Sequence, residues 1–150
     1  MNKKIIIHHL VKGSDLNHHE TLYAGRGAEW LVESGFIAAS SLTRPEDTVC
    51  LNIHGMIFTR PVKKGSLLKF ESQVVYTGKT SLVAYVRVTF SQTGEFVVEG
   101  FLTFIHADNG KATPHGIVIK PETPEEIALY EEGKRLKENA HNFTKGLGAK

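Results

Sequence analysis

The chain holds a single cysteine, Cys50, among 150 residues, so no intrachain disulfide can form. That fits a reducing compartment and makes the cytoplasm the expected location. No apolar run approaches the ~18 residues that a membrane span needs. The run Ile5 to Ile7, behind the positive Lys3 and Lys4, stops at His8 and is too short for a secretory signal. An excess of one charge is also lacking: Lys and Arg number 18, Asp and Glu 16, with no basic block before the tail, so nucleic acid is not implied.

Several catalytic signatures are missing as well. No G-x-S-x-G occurs, which excludes a serine-hydrolase elbow. Tyr23-Ala24-Gly25-Arg26-Gly27 has no lysine-serine ending and is not a phosphate loop. The eight histidines include the adjacent pairs His8-His9 and His18-His19 but no H-x-x-x-H, and Cys50 has no cysteine partner, so no metal site is expected. Cys50 itself falls in an alternating strand, where a buried structural thiol is the reading. No D-x-x-x-x-H pairing stands on the helix approach, which disfavours a dehydratase.

The organising stretch is Asn17 to Ala39. Ala24, Ala28, Leu31, Val32, Gly35, Phe36 and Ala39 recur three or four apart and form one stripe, too apolar for an exposed helix. Small residues in it (Ala28, Gly35, Ala38, Ala39) let a backbone lie close to another surface, as in a helix wrapped by a curved sheet. The rest supplies that sheet. Lys3 to Val11 reads as a first strand, and Thr48 to Thr59 as another, with Gly55 marking a bulge or close approach. Ser66–Tyr76, Thr80–Ser91 and Glu95–Ala107 follow as strands joined by short turns, so an antiparallel meander is expected. Thr123, Pro124 and Glu126 then specify the start of a charged helix over about 124–138. The final residues, 139–150, are expected to be mobile. One α+β domain spanning 1–150 results, with its core over about 3–120. A curled sheet leaves an edge and a face to cover, which makes pairing with a second copy the expectation.

Chemistry has few places to reside. The first turn of a buried helix carries unpaired N–H donors, and the glycines near Gly25 expose them to a carbonyl or developing oxyanion. Asn17 lies just upstream. Glu29 and Glu33 are the carboxylates within the helix that could activate water, and Glu33 sits in its most apolar section.

These pieces resemble the hotdog-fold acyl-CoA thioesterases of the YciA and cytosolic acyl-CoA hydrolase type. Asn17 to Gly25 is similar to the pattern N-x-x-G-x-(I/L)-F-G-G, and Gly55-Met56-Ile57-Phe58 through Gly65 to G-M-x-F-x-x-P-V-x-x-G-D. Gly78-Lys79-Thr80-Ser81 matches a G-(R/K/T)-(S/T)-S turn, and Thr103 to Lys111 resembles F-x-x-V-A-V-D-x-x-G-K. The likeness covers about residues 9 to 116. It implies a hotdog fold, an antiparallel sheet around one central helix, here with a C-terminal helix added. It also implies hydrolysis of an acyl-CoA by activated water in a homodimer with shared active sites, often a trimer of dimers. No separate cofactor is implied, since coenzyme A is part of the substrate.

By the same resemblance the catalytic residues are Asn17, Gly25 and Glu33, and the coenzyme A contacts are Arg60, Lys79, Thr80 and Ser81, with Lys63 or Lys64 as looser candidates. The family's first motif glycine is Glu20 here, the first of its glycine pair is Ala24, and its helical aspartate is Val32. Adjacent helix positions point about 100° apart, so Glu33 does not simply replace that aspartate. Glu29, or a histidine such as His18, His19 or His54, the last on a strand expected beside the helix, therefore stays open as the base. A non-hydrolytic acyl-CoA-binding or regulatory protein is the alternative function.

Overall fold

The structure, a computed structural model, describes the backbone of residues 2–148 and side chains of 2–142. Its strands are β1 (Ile5–Leu10), β2 (Thr48–Met56), β3 (Leu67–Thr77), β4 (Ser81–Phe90), β5 (Phe96–Asp108) and the short β6 (Lys111–Ala112). Helix α1 runs Ala24–Leu42 and α2 Pro124–Gly148. The antiparallel sheet has the order β1-β3-β4-β5-β2, with β6 hung on β5. It curls around α1, and α2 packs on the other face, which makes this the hotdog arrangement.

The core follows from the strand period. Leu82, Ala84, Val86 and Val88 of β4, with Leu68, Phe70, Leu102 and Phe104 of its neighbours, form one buried cluster with Leu31 and Ala39 of α1. Val83, on the opposite face, meets Gly133 of α2 together with Val75. Helix and sheet touch closely because Gly35 has no side chain: a Cβ there would stand 2.9 Å from Leu102 Cδ1. Ser72 Oγ of β3 donates to Ser34 O of α1 at 2.9 Å, a buried polar tie between the two layers.

Gly55 has φ +99°, a conformation side chains rarely adopt, and the β2–β5 register shifts on either side of Ile53. This is the bulge anticipated at that glycine. Thr123 and Glu126 cap α2 reciprocally: Glu126 N donates to Thr123 Oγ1 at 3.1 Å and Thr123 N to Glu126 Oε1 at 3.0 Å. Thr123 N, with Glu122 N donating to the same Oε1 at 3.2 Å, pulls the Glu126 carboxyl down to about 2.

Three expectations change. Cys50 is exposed rather than buried, because β2 is the outermost strand and no element among the described residues covers it. β2 does run near α1, as expected, but the His54 side chain lies on the other face of the sheet. Its Nε2 meets Thr103 Oγ1 at 2.6 Å, and Thr103 pairs with Val83 on the α2 face. Helix α2 extends well past 138, to Gly148, so residues 139–148 are helical; of the stretch expected to be mobile, 149 and 150 lie outside the described residues. Among the described residues no helix is long and apolar enough to cross a membrane.

Candidate active site

The approach to α1 is a tight polar turn. Asn17 Oδ1 accepts from His19 N at 2.9 Å and from Thr21 N and Oγ1 at 3.3 Å, and Asn17 N donates to Thr21 O at 2.7 Å. With its oxygen so engaged, the carboxamide keeps Nδ2 as a donor with no acceptor among the described residues. Leu22 N bonds Val62 O at 2.7 Å, which pins this turn to the β2–β3 connection. Asp15, only 5 % exposed, accepts from Lys12 N at 2.9 Å and meets Arg26 Nε at 3.3 Å, fixing the turn to the first turn of α1.

Tyr23, the N-cap, offers no side-chain cap. Arg26 N and Gly27 N both bond Tyr23 O, at 3.0 and 3.1 Å, while Ala24 N and Gly25 N have no acceptor among the described residues. Two free donors therefore stand at the positive end of a 19-residue helix. Gly25 lacks a Cβ where one would fall 2.5 Å from the Tyr23 ring.

Ala24 also lines a pocket of about 330 Å³. Asn17, Thr21 and Arg60 supply its polar side chains, and Phe58, Leu68, Phe70, Val88, Val97 and Val98 make it largely apolar. A few polar groups in an apolar lining suit a ligand with a polar reacting centre and an apolar tail. Gly27 contributes by absence, since a Cβ there would press on the Phe58 ring at 3.2 Å.

The anticipated residues divide between two places. Asn17 and Arg60 line this pocket, although Arg60 is already paired with Glu95 at 2.7 Å, while Gly25 does not line it and only follows the lining residue Ala24 in the chain. Lys79, Thr80 and Ser81 line a different cavity, at the far end of β4. Seven residues of strand separate Ser81 from Val88, about 24 Å. Within one chain the two groups do not meet.

Glu33 is exposed and lines neither cavity. It lies nine residues from Ala24, about 13 Å along the axis. Its charge reaches His9 of β1, where burial holds the imidazole pKa down and Glu33, then Asp15, oppose that shift. Glu29 is also exposed and accepts from Arg26 Nη1 at 3.3 Å. The exposed rings of His18 and His19 pack on each other, centroids 3.9 Å apart, outside the pocket. No three His, Cys, Asp or Glu side chains among the described residues converge as a metal site would require.

Sequence reasoning missed Asp15 and gave Thr21 no role. The signal for Asp15 was present: a carboxylate three residues after Lys12, at a Gly-Ser break, is the pattern of a residue that caps its own turn. Phe58 stood in the G-M-x-F motif, but its place over Gly27 depends on how the chain folds back.

A sequence model of the thioesterase superfamily matches residues 19–96. The chain is 32% identical to the uncharacterized acyl-CoA thioester hydrolase YkhA of Bacillus subtilis, over 89% of this chain and 84% of that one. It is 27% identical to the protein VdlD of Helicobacter pylori, over 90% and 79%. Among solved structures, an apo-hexameric acyl-CoA thioesterase superposes with a TM-score of 0.82 at 31% identity, covering 94% of this chain and 92% of that one. An acyl-CoA hydrolase from Bacillus cereus gives 0.86 at 25%, over 97% and 91%.

Proposed function

The chain belongs to the thioesterase superfamily, and on that premise we propose that it hydrolyses an acyl-CoA thioester to the free acid and coenzyme A. The observation that carries this is a largely apolar pocket lined by Asn17 and Ala24, where the amides of Ala24 and its chain neighbour Gly25 have no acceptor among the described residues. Water attacks the thioester carbonyl carbon, and negative charge grows on its oxygen. The two amides and Asn17 Nδ2 hold that charge, and the tetrahedral intermediate collapses by breaking the C–S bond. The departing sulfur takes a proton to become the thiol.

Water needs a base, and a carboxylate of α1 is proposed for it. Glu33 holds that role by its place next to Val32. Glu29 is the second reading, supported by lying about 60° of helix rotation from the Val32 direction and nearer the helix start. Separation of the helix start from Lys79, Thr80 and Ser81 by the length of β4 supports a homodimer with shared sites. A two-fold near the middle of β2 exchanges the two ends of the sheet, so one copy's pocket meets the other's turn. In this reading Arg60, Lys79, Thr80 and Ser81 take the coenzyme, and the hexameric relative suggests a trimer of dimers. A cytoplasmic location is proposed on the single exposed thiol, Cys50.

Thiol release from an acyl-CoA series tests the activity, with Glu33→Gln and Glu29→Gln assayed separately. A loss in kcat of about 100-fold or more with KM retained assigns the base to the substituted residue. Unchanged turnover removes it, and unchanged turnover in both variants removes the helix carboxylate altogether. Coenzyme A binding with no thiol release from the unsubstituted chain supports the binding-only alternative, which Val32 favours.

A further inference from the structure

On the α2 face of the sheet, a cavity of about 670 Å³ opens between the β3–β4 turn, the middle of β2 and the later part of α2. Lys79, Thr80, Ser81 and His54 line it from the sheet, and Lys137 and His141 from the helix. Among the described residues no carboxylate does. Neither lysine forms an ion pair among the described residues. Two ammonium groups without a counter-charge favour a ligand that brings negative charge.

A second observation points the same way. Ser81 is 2 % exposed, yet its Oγ has no hydrogen-bond partner among the described residues. A Cβ on Gly78 would stand 2.5 Å from that Oγ and 3.5 Å from Lys137 Nζ, so both groups converge on the space this glycine leaves open. The turn is held in place: His106 N donates to Thr80 O at 2.8 Å, His115 N to Lys79 O at 3.3 Å, and His115 Nε2 lies 2.9 Å from Ser81 O. An orphaned buried hydroxyl, two unpaired lysines and a rigid glycine turn form an anion site.

We propose that α2, through Lys137, completes the phosphate end of the coenzyme site that the reading above places at Lys79, Thr80 and Ser81. This rests on the acyl-CoA reading above, but the motif behind that reading stops before α2 begins. Long side chains on a helix laid across the sheet allow it to close over a phosphate that the turn alone would leave in water.

The test compares one acyl group on coenzyme A and on pantetheine, which carries no phosphate. Lys137→Ala is expected to raise KM roughly fivefold for the coenzyme A ester and leave the pantetheine ester unchanged. Lys137→Glu should raise it further, and Lys137→Arg should restore most of it. Lys134→Ala, one turn back and outside the cavity, is the control. Equal effects on both esters, or no effect on either, overturn the proposal. Calorimetric binding of coenzyme A itself gives a readout independent of turnover: affinity weakened by Lys137→Ala supports the site even if hydrolysis is absent, and unchanged affinity overturns it.

Discussion

The ring of His9 lies flat on the indole of Trp30, centroids 4.4 Å apart and planes within 8°, and its buried Nε2 has no hydrogen-bond partner. Burial therefore holds this imidazole neutral below its ordinary pKa of 6.5. The unfolded chain takes up a proton near 6.5 and the folded chain only at lower pH, so stability falls as pH drops through the window below 6.5. His54, lowered by the same cause, adds to the trend. His9→Phe keeps a ring against Trp30 and should flatten, without abolishing, the fall in melting temperature between pH 7 and pH 5. An unaltered slope would show that His9 does not contribute.

Glu20 adopts φ 62°, in the left-handed region, at the position where the family pattern has glycine. A side chain there costs about 1 kcal/mol, partly offset by glycine's greater freedom in the unfolded chain. Glu20→Gly is expected to raise the melting temperature by roughly 1–2 °C, measured by calorimetry. A drop would mean that Glu20 makes an interaction outweighing the backbone strain.

Gly35 faces Leu102 Cδ1 at 2.9 Å and Phe104 and Val86 at 3.5 Å from the position its Cβ would occupy. Gly35→Val must push α1 off the sheet, and a cost of about 2 kcal/mol is expected. Urea denaturation measures it directly. A neutral result would mean that the helix can slide without loss.

Leu51 is 66 % exposed on β2, with Val49 and Ile53 also exposed on the same unpaired edge. Under the proposed homodimer, Leu51→Asp should shift sedimentation toward the monomer and reduce thiol release together. A monomer that retains full turnover would remove the shared site.

Periodicity carried most of the architecture. The meander spacing and the Thr123/Glu126 box stand in the structure, and the stripe stands from Leu31 to Ala39, because each depends on neighbours within a few residues; Ala24 is exposed, and Gly27, Trp30 and Ser34 join the buried face instead. What was not legible depends on contacts distant in sequence. Whether β2 is central or at an edge is decided by pairing with β5, about 50 residues on, so Cys50 gave no hint of its exposure. His54 follows two register shifts that break the alternation, which hid the face it occupies. Glu33 sits in apolar sequence, yet helix rotation turns it outward. Lys137 had no motif to announce it, because its neighbours in the cavity belong to a turn nearly sixty residues earlier.

The sheet order also has a consequence for synthesis. Helix α1 is complete at Leu42, but β3 and β4, the strands it packs on most, begin only at Leu67 and Ser81, and β2 waits for β5. A nascent chain stopped between those points presents a largely uncovered greasy helix and two unmatched ribbons, β1 and β2. Such an intermediate invites clumping until the later strands emerge to close over it.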